Sequence, residues 1–251
     1  MKYWLLLLLL LLSACARPDR TSIPLPSADE LLHRLSQGAD AYQSLDGEAK
    51  VTLTVNGKFF SSQQFLLLGK PDRFRTDVLS TFGQLILQLA VDHDGLKVFL
   101  NTIVPGTFYQ GTASDENLTR FTRLPVRFMD MMRLLLYDPP LTTYQELQVS
   151  LHENGAKLEI YGEQGRQQVI FDRQLRPIES RYFQEDALQL SVTYEKFSER
   201  DGFPLKIRIE IPQKKASATI RFSQVRSNIQ IPDERFVLKQ PANALLEQLP
   251  Y

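Results

Sequence analysis

The sequence is poor in the residues that build disulfide frameworks and metal sites. It contains a single cysteine, so no disulfide can form within the chain, and its three histidines lie far apart. Its 29 basic and 29 acidic residues balance. A nucleic-acid-binding protein would show a basic excess, so we predict no nucleic-acid partner. Without disulfides, the fold must be stabilised by burial of apolar side chains.

Signatures of common catalytic sites are also missing. The chain has no Gly-x-Ser-x-Gly elbow, phosphate-binding loop, dinucleotide fingerprint or HExxH zinc motif. Asp92-His93-Asp94 could contribute to a metal site if further ligands came from elsewhere, but a polar hairpin turn ending at Gly95 is the better interpretation. We therefore predict that the protein is not an enzyme and has no catalytic residues, metal or cofactor.

The N-terminus carries a short leucine run followed by the cysteine. Leu5–Leu12 is apolar without a break, but a helix that spans a bilayer needs roughly 20 residues. Small residues then precede Cys15, and the stretch 12–15 resembles the lipobox of bacterial lipoproteins. The resemblance implies that residues 1–14 are a signal peptide, that cleavage occurs before Cys15, and that Cys15 is lipidated. An ordinary secretory signal with a chance cysteine is the alternative.

The residue after the cysteine bears on localisation. Lipoproteins that stay in the inner membrane of many Gram-negative bacteria resemble one another in carrying Asp there, whereas this chain has Ala16. We therefore expect a lipid anchor in the outer membrane, on its periplasmic face. Residues 15–26 are rich in proline and predict an extended tether, and residues 27–251 are predicted to form one domain.

Apolar periodicity divides this domain into helices and strands. Ser27 and Glu30 form a capping box at the start of a helix predicted over 27–45. From Gly47 the period changes to two, and short turns such as Asn56-Gly57 separate successive strands. A helical stretch over 114–136 interrupts them.

About 11 strands are predicted in total. So long an open sheet must curl, because adjacent strands twist by roughly 20°. The sequence predicts a mainly β (α+β) fold in which a curled antiparallel half-barrel sheet is covered by the helices on its concave face.

At this point the sequence resembles the LolA/LolB group of lipoprotein carriers, and LolB most closely. The resemblance rests on element order and on short motifs, among them Asp72-Arg73-Phe74-Arg75, Phe82-Gly83, Asp94-Gly95 and a predicted strand at Phe236-Val237-Leu238. It implies that the half barrel encloses an apolar cavity for lipoprotein acyl chains and that a soluble periplasmic carrier is a partner. It also implies that an apolar residue in the turn before Gly83 projects towards the membrane.

Candidate site residues follow from this layout. Apolar side chains between the sheet and the helices are expected to contact acyl chains: Val51, Leu53, Phe65, Leu67, Leu87, Leu89, Phe128, Met132 and Leu135. The turn expected to meet the membrane contains Phe82, with Val78, Leu79 and Leu85 beside it. Alternatively, Phe82 packs on the edge of its own domain.

Two functions remain open from the sequence, and we expect a monomer in either case. The first is a lipid-handling acceptor that receives lipoproteins and inserts them into the outer membrane. The second is a structural or assembly lipoprotein that uses the same fold to bind a protein partner in the envelope. An open cavity under the helices would favour the first, and a filled core would favour the second.

Overall fold

A computed structural model describes residues 25–153 and 155–250. The predicted signal peptide and Cys15 lie outside these residues. The strands are β1 (Ser44–Val55), β2 (Lys58–Gly69), β3 (Arg73–Leu79), β4 (Leu85–Asp92), β5 (Gly95–Leu100), β6 (Thr107–Gly111), β7 (Glu146–His152), β8 (Gly155–Gly162), β9 (Gly165–Phe171), β10 (Pro177–Gln184), β11 (Ala187–Phe197), β12 (Pro204–Ile211), β13 (Ala216–Ser227) and β14 (Leu245–Gln248). The α-helices are α1 (Ala28–Ala41), α2 (Asp115–Thr122) and α3 (Phe128–Leu135).

All fourteen strands belong to one sheet, in the order β14-β6-β5-β4-β3-β2-β1-β13-β12-β11-β10-β9-β8-β7. Neighbouring strands pair antiparallel, except that β14 pairs parallel with β6. The predicted fold class, a curled sheet covered by helices, is confirmed. The sheet has more strands than the predicted 11, chiefly because β6 is short and β14 is exposed at every position, so that neither shows an apolar alternation.

The tail departs from the sequence prediction in one further respect. Phe236-Val237-Leu238 was expected to be a strand, but a 3-10 helix occupies Asp233–Arg235 and the following residues are irregular. The tail crosses the outer face of the sheet, where Phe236 packs against Leu67 and Leu238 packs against Phe99. The tail therefore covers part of the outer face of β2–β6.

Helix boundaries follow the capping residues. The Ser27 hydroxyl accepts a hydrogen bond from the Glu30 amide at 3.1 Å and begins α1. Ser114 does the same for the Asn117 amide at 3.2 Å and begins α2. Helix α1 ends at Ala41 instead of near the predicted residue 45, because β1 already begins at Ser44. None of the helices in 25–153 and 155–250 is long and apolar enough to cross a membrane.

The helices cover the same face of the sheet, as predicted. Leu31 and Leu35 of α1 pack on Leu158 in β8. Met132 and Leu135 of α3 lie in the larger core with residues of β1–β5 and β11–β13. The strand register connects the two regions, since Leu158, Val169, Ser180, Val192, Ile209, Ala218 and Leu53 lie opposite one another from strand to strand.

Two buried tyrosines fix α3 against β10 and β11. The Tyr194 hydroxyl donates to the Leu134 carbonyl at 3.3 Å, and the Tyr137 hydroxyl donates to the Pro177 carbonyl at 3.0 Å. Desolvation by burial raises the pKa of both tyrosines well above its usual range. Both therefore remain neutral hydrogen-bond donors, and the end of α3 is held at a fixed position above the sheet.

Candidate functional site

A cavity of about 530 Å³ lies between the sheet and the segment formed by α2 and α3. Small-molecule sites typically measure about 300–1,000 Å³ and are mostly apolar. The apolar side chains that line this cavity come from β1–β6, from β13 and from the helical segment: Val51, Leu53, Phe60, Leu66, Phe74, Val78, Ile86, Leu87, Leu89, Leu100, Tyr109, Phe121, Leu124, Met131, Leu135, Ala218 and Ile220. The half barrel thus holds an open, mostly apolar cavity beside its packed core.

Several predicted site residues meet in this cavity. Val51 and Leu53 of β1, Leu87 and Leu89 of β4 and Leu135 of α3 all line it. Phe128 and Met132 lie in the core beside it, with 6% and 1% of their surfaces exposed. The ring of Phe128 packs edge-on against that of the lining residue Phe74, at 6.2 Å between centroids.

Phe65 and Leu67 require a correction. They do not line the cavity. Phe60, Ser61 and Ser62 near the start of β2 do, and so do Gln64 and Leu66. Side chains alternate between the two faces of a strand, so their neighbours Phe65 and Leu67 point to the outer face. There Phe65 is 45% exposed, and Leu67 packs under the C-terminal tail.

A signal for the correct face of β2 was present in the sequence. Asn56 and Gly57 both have positive φ, at 50° and 77°, which is the geometry of the two-residue hairpin turn. That turn pairs Val55 with Lys58 and therefore places Val51 opposite Ser62. Residues opposite one another share a face, so the even-numbered residues of β2 face the cavity together with Val51.

The sequence analysis missed the charged part of the cavity lining. Arg120, in the last turn of α2, and Arg123, its C-cap, both line the cavity, and both side chains are exposed. The guanidinium carbon of Arg123 lies 4.9 Å from the centre of the Phe60 ring. That of Arg120 lies 5.4 Å from the centre of the Tyr109 ring. The cavity therefore has a mostly apolar lining, interrupted by polar side chains such as Ser62, Gln64 and Thr76, and a cationic opening.

Exposed apolar side chains project from three turns at the same end of the sheet. They are Phe59 beside the β1–β2 turn, Phe82 in the β3–β4 turn, and Ile103 and Val104 in the β5–β6 loop, and we call them the apolar rim. Their exposed fractions are 67%, 90%, 64% and 97%, respectively. The antiparallel register of β1–β6 brings these turns together.

Val78, Leu79 and Leu85, the apolar residues on either side of the β3–β4 turn, are less exposed than Phe82 itself. Leu79 and Leu85 are half-buried, and Leu85 packs on the outer-face cluster of Phe99 and Phe108. Val78 faces the cavity. The turn is held by the Ser80 hydroxyl, which accepts from the amides of Phe82 at 3.2 Å and Gln84 at 3.1 Å. The Phe82 side chain is therefore not needed to form the turn.

The polar turn at Asp92-His93-Asp94 is held by a hydrogen bond within the turn and by ion pairs to Lys97. Asp92 accepts a hydrogen bond from the Asp94 amide at 2.9 Å, and Lys97 pairs with Asp92 at 3.4 Å and with Asp94 at 3.2 Å. Within 25–153 and 155–250, no cluster of three or more histidine, cysteine or acidic side chains could hold a metal ion.

This chain has a curled sheet with a helical cover over an apolar cavity, and the solved structures similar to it fit the predicted LolA/LolB-like layout. It is similar to a DUF1329 family protein from Desulfovibrio piger, with a TM-score of 0.51 and 16% identity over 83% of this chain and 95% of that one. It is also similar to a putative outer membrane lipoprotein-sorting protein domain from Vibrio parahaemolyticus, with a TM-score of 0.52 and 12% identity over 82% and 94% of the two chains.

A third similar structure is a LolA superfamily protein from Nitrosomonas europaea, with a TM-score of 0.47 and 12% identity over 85% of this chain and 98% of that one. No protein-family model and no curated protein matches the sequence. At these identities the comparisons establish the fold alone.

Proposed function

We propose that this protein is a lipid-anchored envelope protein that binds acyl chains and helps to receive or insert lipoproteins at the periplasmic face of the outer membrane. The observation that carries the proposal is the apolar cavity of about 530 Å³ under α2 and α3. An acyl chain that enters it gains about 25 cal/mol for each Å² of apolar surface removed from water. The proposal requires no catalytic step and no cofactor.

The surroundings of the cavity support transfer in both directions. Helix α2 is short, with eight residues, so its displacement would expose the bound chain while α3 stays held above the sheet. A soluble periplasmic carrier would supply the cargo. The similar Vibrio structure is described as a putative lipoprotein-sorting domain, which agrees with this use of the fold.

Photo-crosslinking tests acyl-chain binding directly. The full-length chain, reconstituted in phosphatidylcholine vesicles, is exposed to an acylated lipoprotein peptide that carries a diazirine in its acyl chain. We expect crosslinks to peptides that contain β4 and α3, because Leu87, Leu89 and Leu135 line the cavity. Absence of these crosslinks would reject acyl-chain binding and favour the alternative, an assembly lipoprotein that binds a protein partner.

The anchor itself is the second part of the proposal. Leu12-Ser13-Ala14-Cys15 follows the leucine run, and more than one acyl chain is needed for stable anchoring. We expect the mass of the mature N-terminal peptide to show Cys15 as its first residue, carrying lipid. Cys15→Ser should leave an uncleaved precursor. An unmodified Cys15, or cleavage at another position, would contradict the proposal.

The apolar rim is proposed to contact the bilayer while cargo is transferred. It lies beside the cavity, since the lining residues Phe60, Ile86 and Leu100 are next to its three turns. These turns contain no acidic residue, whereas the turns of β8–β11 at the same end of the sheet carry Glu163, Glu185 and Asp186. The combination favours seating of the cavity side on a lipid surface.

Phe82→Glu and Val104→Glu should each slow the insertion of acylated cargo into vesicles by about tenfold, because a carboxylate in place of an apolar tip resists entry into the bilayer. Their free energies of unfolding should change by less than about 0.5 kcal/mol, since both side chains are almost fully exposed. Insertion is measured as protection of the cargo from extraction.

Leu151→Glu is the matched control. Leu151 is 67% exposed, and it lies in β7, close to the opposite end of the sheet. It should insert cargo like the unaltered protein. Equal rates for Leu151→Glu, Phe82→Glu and Val104→Glu would show that the apolar rim has no role in transfer.

A further inference from the structure

We infer that the cavity selects amphiphiles with an anionic headgroup, which Arg120 and Arg123 bind at its opening while the hydrocarbon chain lies inside. This inference rests on acyl-chain binding, the first part of the proposed function. It assigns a free lipid to the same cavity, because the acylated cysteine of a lipoprotein carries no anionic group. The first observation is the charge of the lining. Among the described residues that form it, Arg120 and Arg123 are the charged ones, and no carboxylate is present.

The second observation is that both guanidinium groups lack an anionic partner. Within 25–153 and 155–250, no carboxylate lies within 4.0 Å of Arg120 or Arg123, and neither side chain donates a hydrogen bond. By contrast, Arg127 and Arg133 in the same region pair with Asp130 and Asp138. The donors of Arg120 and Arg123 are therefore available to a ligand.

The third observation is that aromatic rings of the cavity wall position both cations. Arg123 lies over Phe60, and Arg120 lies over Tyr109 and over Phe121 at 5.6 Å. A guanidinium stacked on a ring keeps its N–H donors in its own plane, where they can bind a carboxylate or a phosphate in a bidentate manner. Phe60, Tyr109 and Phe121 also line the cavity, so the two cations lie next to its apolar part.

The exposure of the two arginines fits a headgroup site better than a buried ion site. A headgroup held at the opening keeps part of its hydration, so it avoids the large cost of burying an isolated charge. The chain behind it loses water contact at the apolar residues of β3–β5. An amphiphile with one anionic group and one or more hydrocarbon tails satisfies both regions at once, and the shared chemistry is that of a fatty-acid carboxylate or a lipid phosphate.

Three photo-crosslinking probes of equal chain length test the inference on the full-length chain in neutral phosphatidylcholine vesicles. They are a diazirine fatty acid, a diazirine lysophosphatidic acid and the corresponding diazirine fatty alcohol. We expect either or both anionic probes to label the cavity peptides about tenfold more than the alcohol, because charge-assisted bidentate hydrogen bonds are the strong ones. The ratio between the fatty acid and the phosphate probe identifies the preferred headgroup.

The double substitution Arg120→Gln/Arg123→Gln should reduce labelling by the anionic probes to the level of the alcohol. Labelling by the alcohol probe itself should not change. The control Arg34→Gln/Arg221→Gln removes the same charge from exposed residues outside the cavity and should retain the preference. Equal labelling by all three probes, or a preference that survives the Arg120→Gln/Arg123→Gln change, would overturn the headgroup assignment alone. If no probe labels the cavity peptides, acyl-chain binding itself fails.

Discussion

Filling the cavity from the sheet side is expected to abolish the uptake of acyl chains. Leu87 lies in β4, is only half-buried, and faces the cavity. In Leu87→Trp the indole ring would occupy space that the acyl chain needs. We expect crosslinking of the acylated peptide to fall by at least tenfold, a loss of about 1.4 kcal/mol or more in binding free energy.

Phe65→Trp controls for the introduction of an indole ring into the sheet. Phe65 lies on the outer face of β2, is 45% exposed and does not line the cavity, so Phe65→Trp should bind the peptide normally. Urea unfolding of both variants verifies that the sheet is intact. Normal crosslinking in a folded Leu87→Trp protein would show that the acyl chain does not lie beside β4.

The elements that could be predicted from the sequence are those whose local signals agree with their packing. Ser27 and Glu30 marked the start of α1, and Ser114 marked that of α2, because a capping residue acts on amides only three residues away. The strands around Asn56-Gly57 were equally clear, since alternation and turn chemistry pointed to the same hairpin. That the helices share one face followed from the need to cover a single apolar surface.

The features that could not be predicted depend on contacts distant in sequence. β14 pairs with β6 although about 130 residues separate them, and its four residues are all exposed, so nothing local marks it as a strand. The outer face of β2 became partly apolar because the C-terminal tail covers Leu67. The run Leu66-Leu67-Leu68 is apolar on both faces for this reason, and its pattern alone cannot show which residues face the cavity.

Arg120 and Arg123 illustrate the same limit at the candidate site. In the sequence they are two of the four charged residues of 115–123, in and directly after a short polar helix. Their role depends on Phe60 and Tyr109, which come from strands elsewhere in the chain and bring each guanidinium to the cavity. An unpaired cation at a cavity can be identified only when both its neighbours and the absence of a nearby carboxylate are known.

Asp138 joins the helical cover to the rest of the protein. Its side chain is 8% exposed and accepts two hydrogen bonds from Arg133 of α3, at 3.0 and 2.9 Å. It also accepts one from Lys70, at 3.1 Å. Lys70 lies directly after β2 and also donates to the Ala39 carbonyl of α1. The hydrogen bond to Asp138 raises the pKa of Arg133, so the guanidinium stays charged.

Asp138→Ala is expected to lower the free energy of unfolding by about 3 kcal/mol, because it leaves two cations without their shared buried partner. Lys70 and Arg133 are 20% and 37% exposed, so water can replace part of the hydrogen bonds that they lose. The destabilisation should therefore stay below the largest values for buried pairs. Urea denaturation at neutral pH measures the change. Asp138→Asn retains the shape of the side chain and should destabilise the protein less.

Asp130→Ala provides the comparison that separates burial from charge. Asp130 lies in α3, whereas Asp138 follows the helix, and it pairs with Arg127 at 2.7 Å, but the Arg127 side chain is 75% exposed. Pairs of this kind contribute about 0–1 kcal/mol, so Asp130→Ala should unfold at almost the same urea concentration as the unaltered protein. Equal destabilisation by Asp130→Ala and Asp138→Ala would mean that loss of a negative charge in or near α3, and not the buried connection between α1, β2 and α3, determines the stability of the cover.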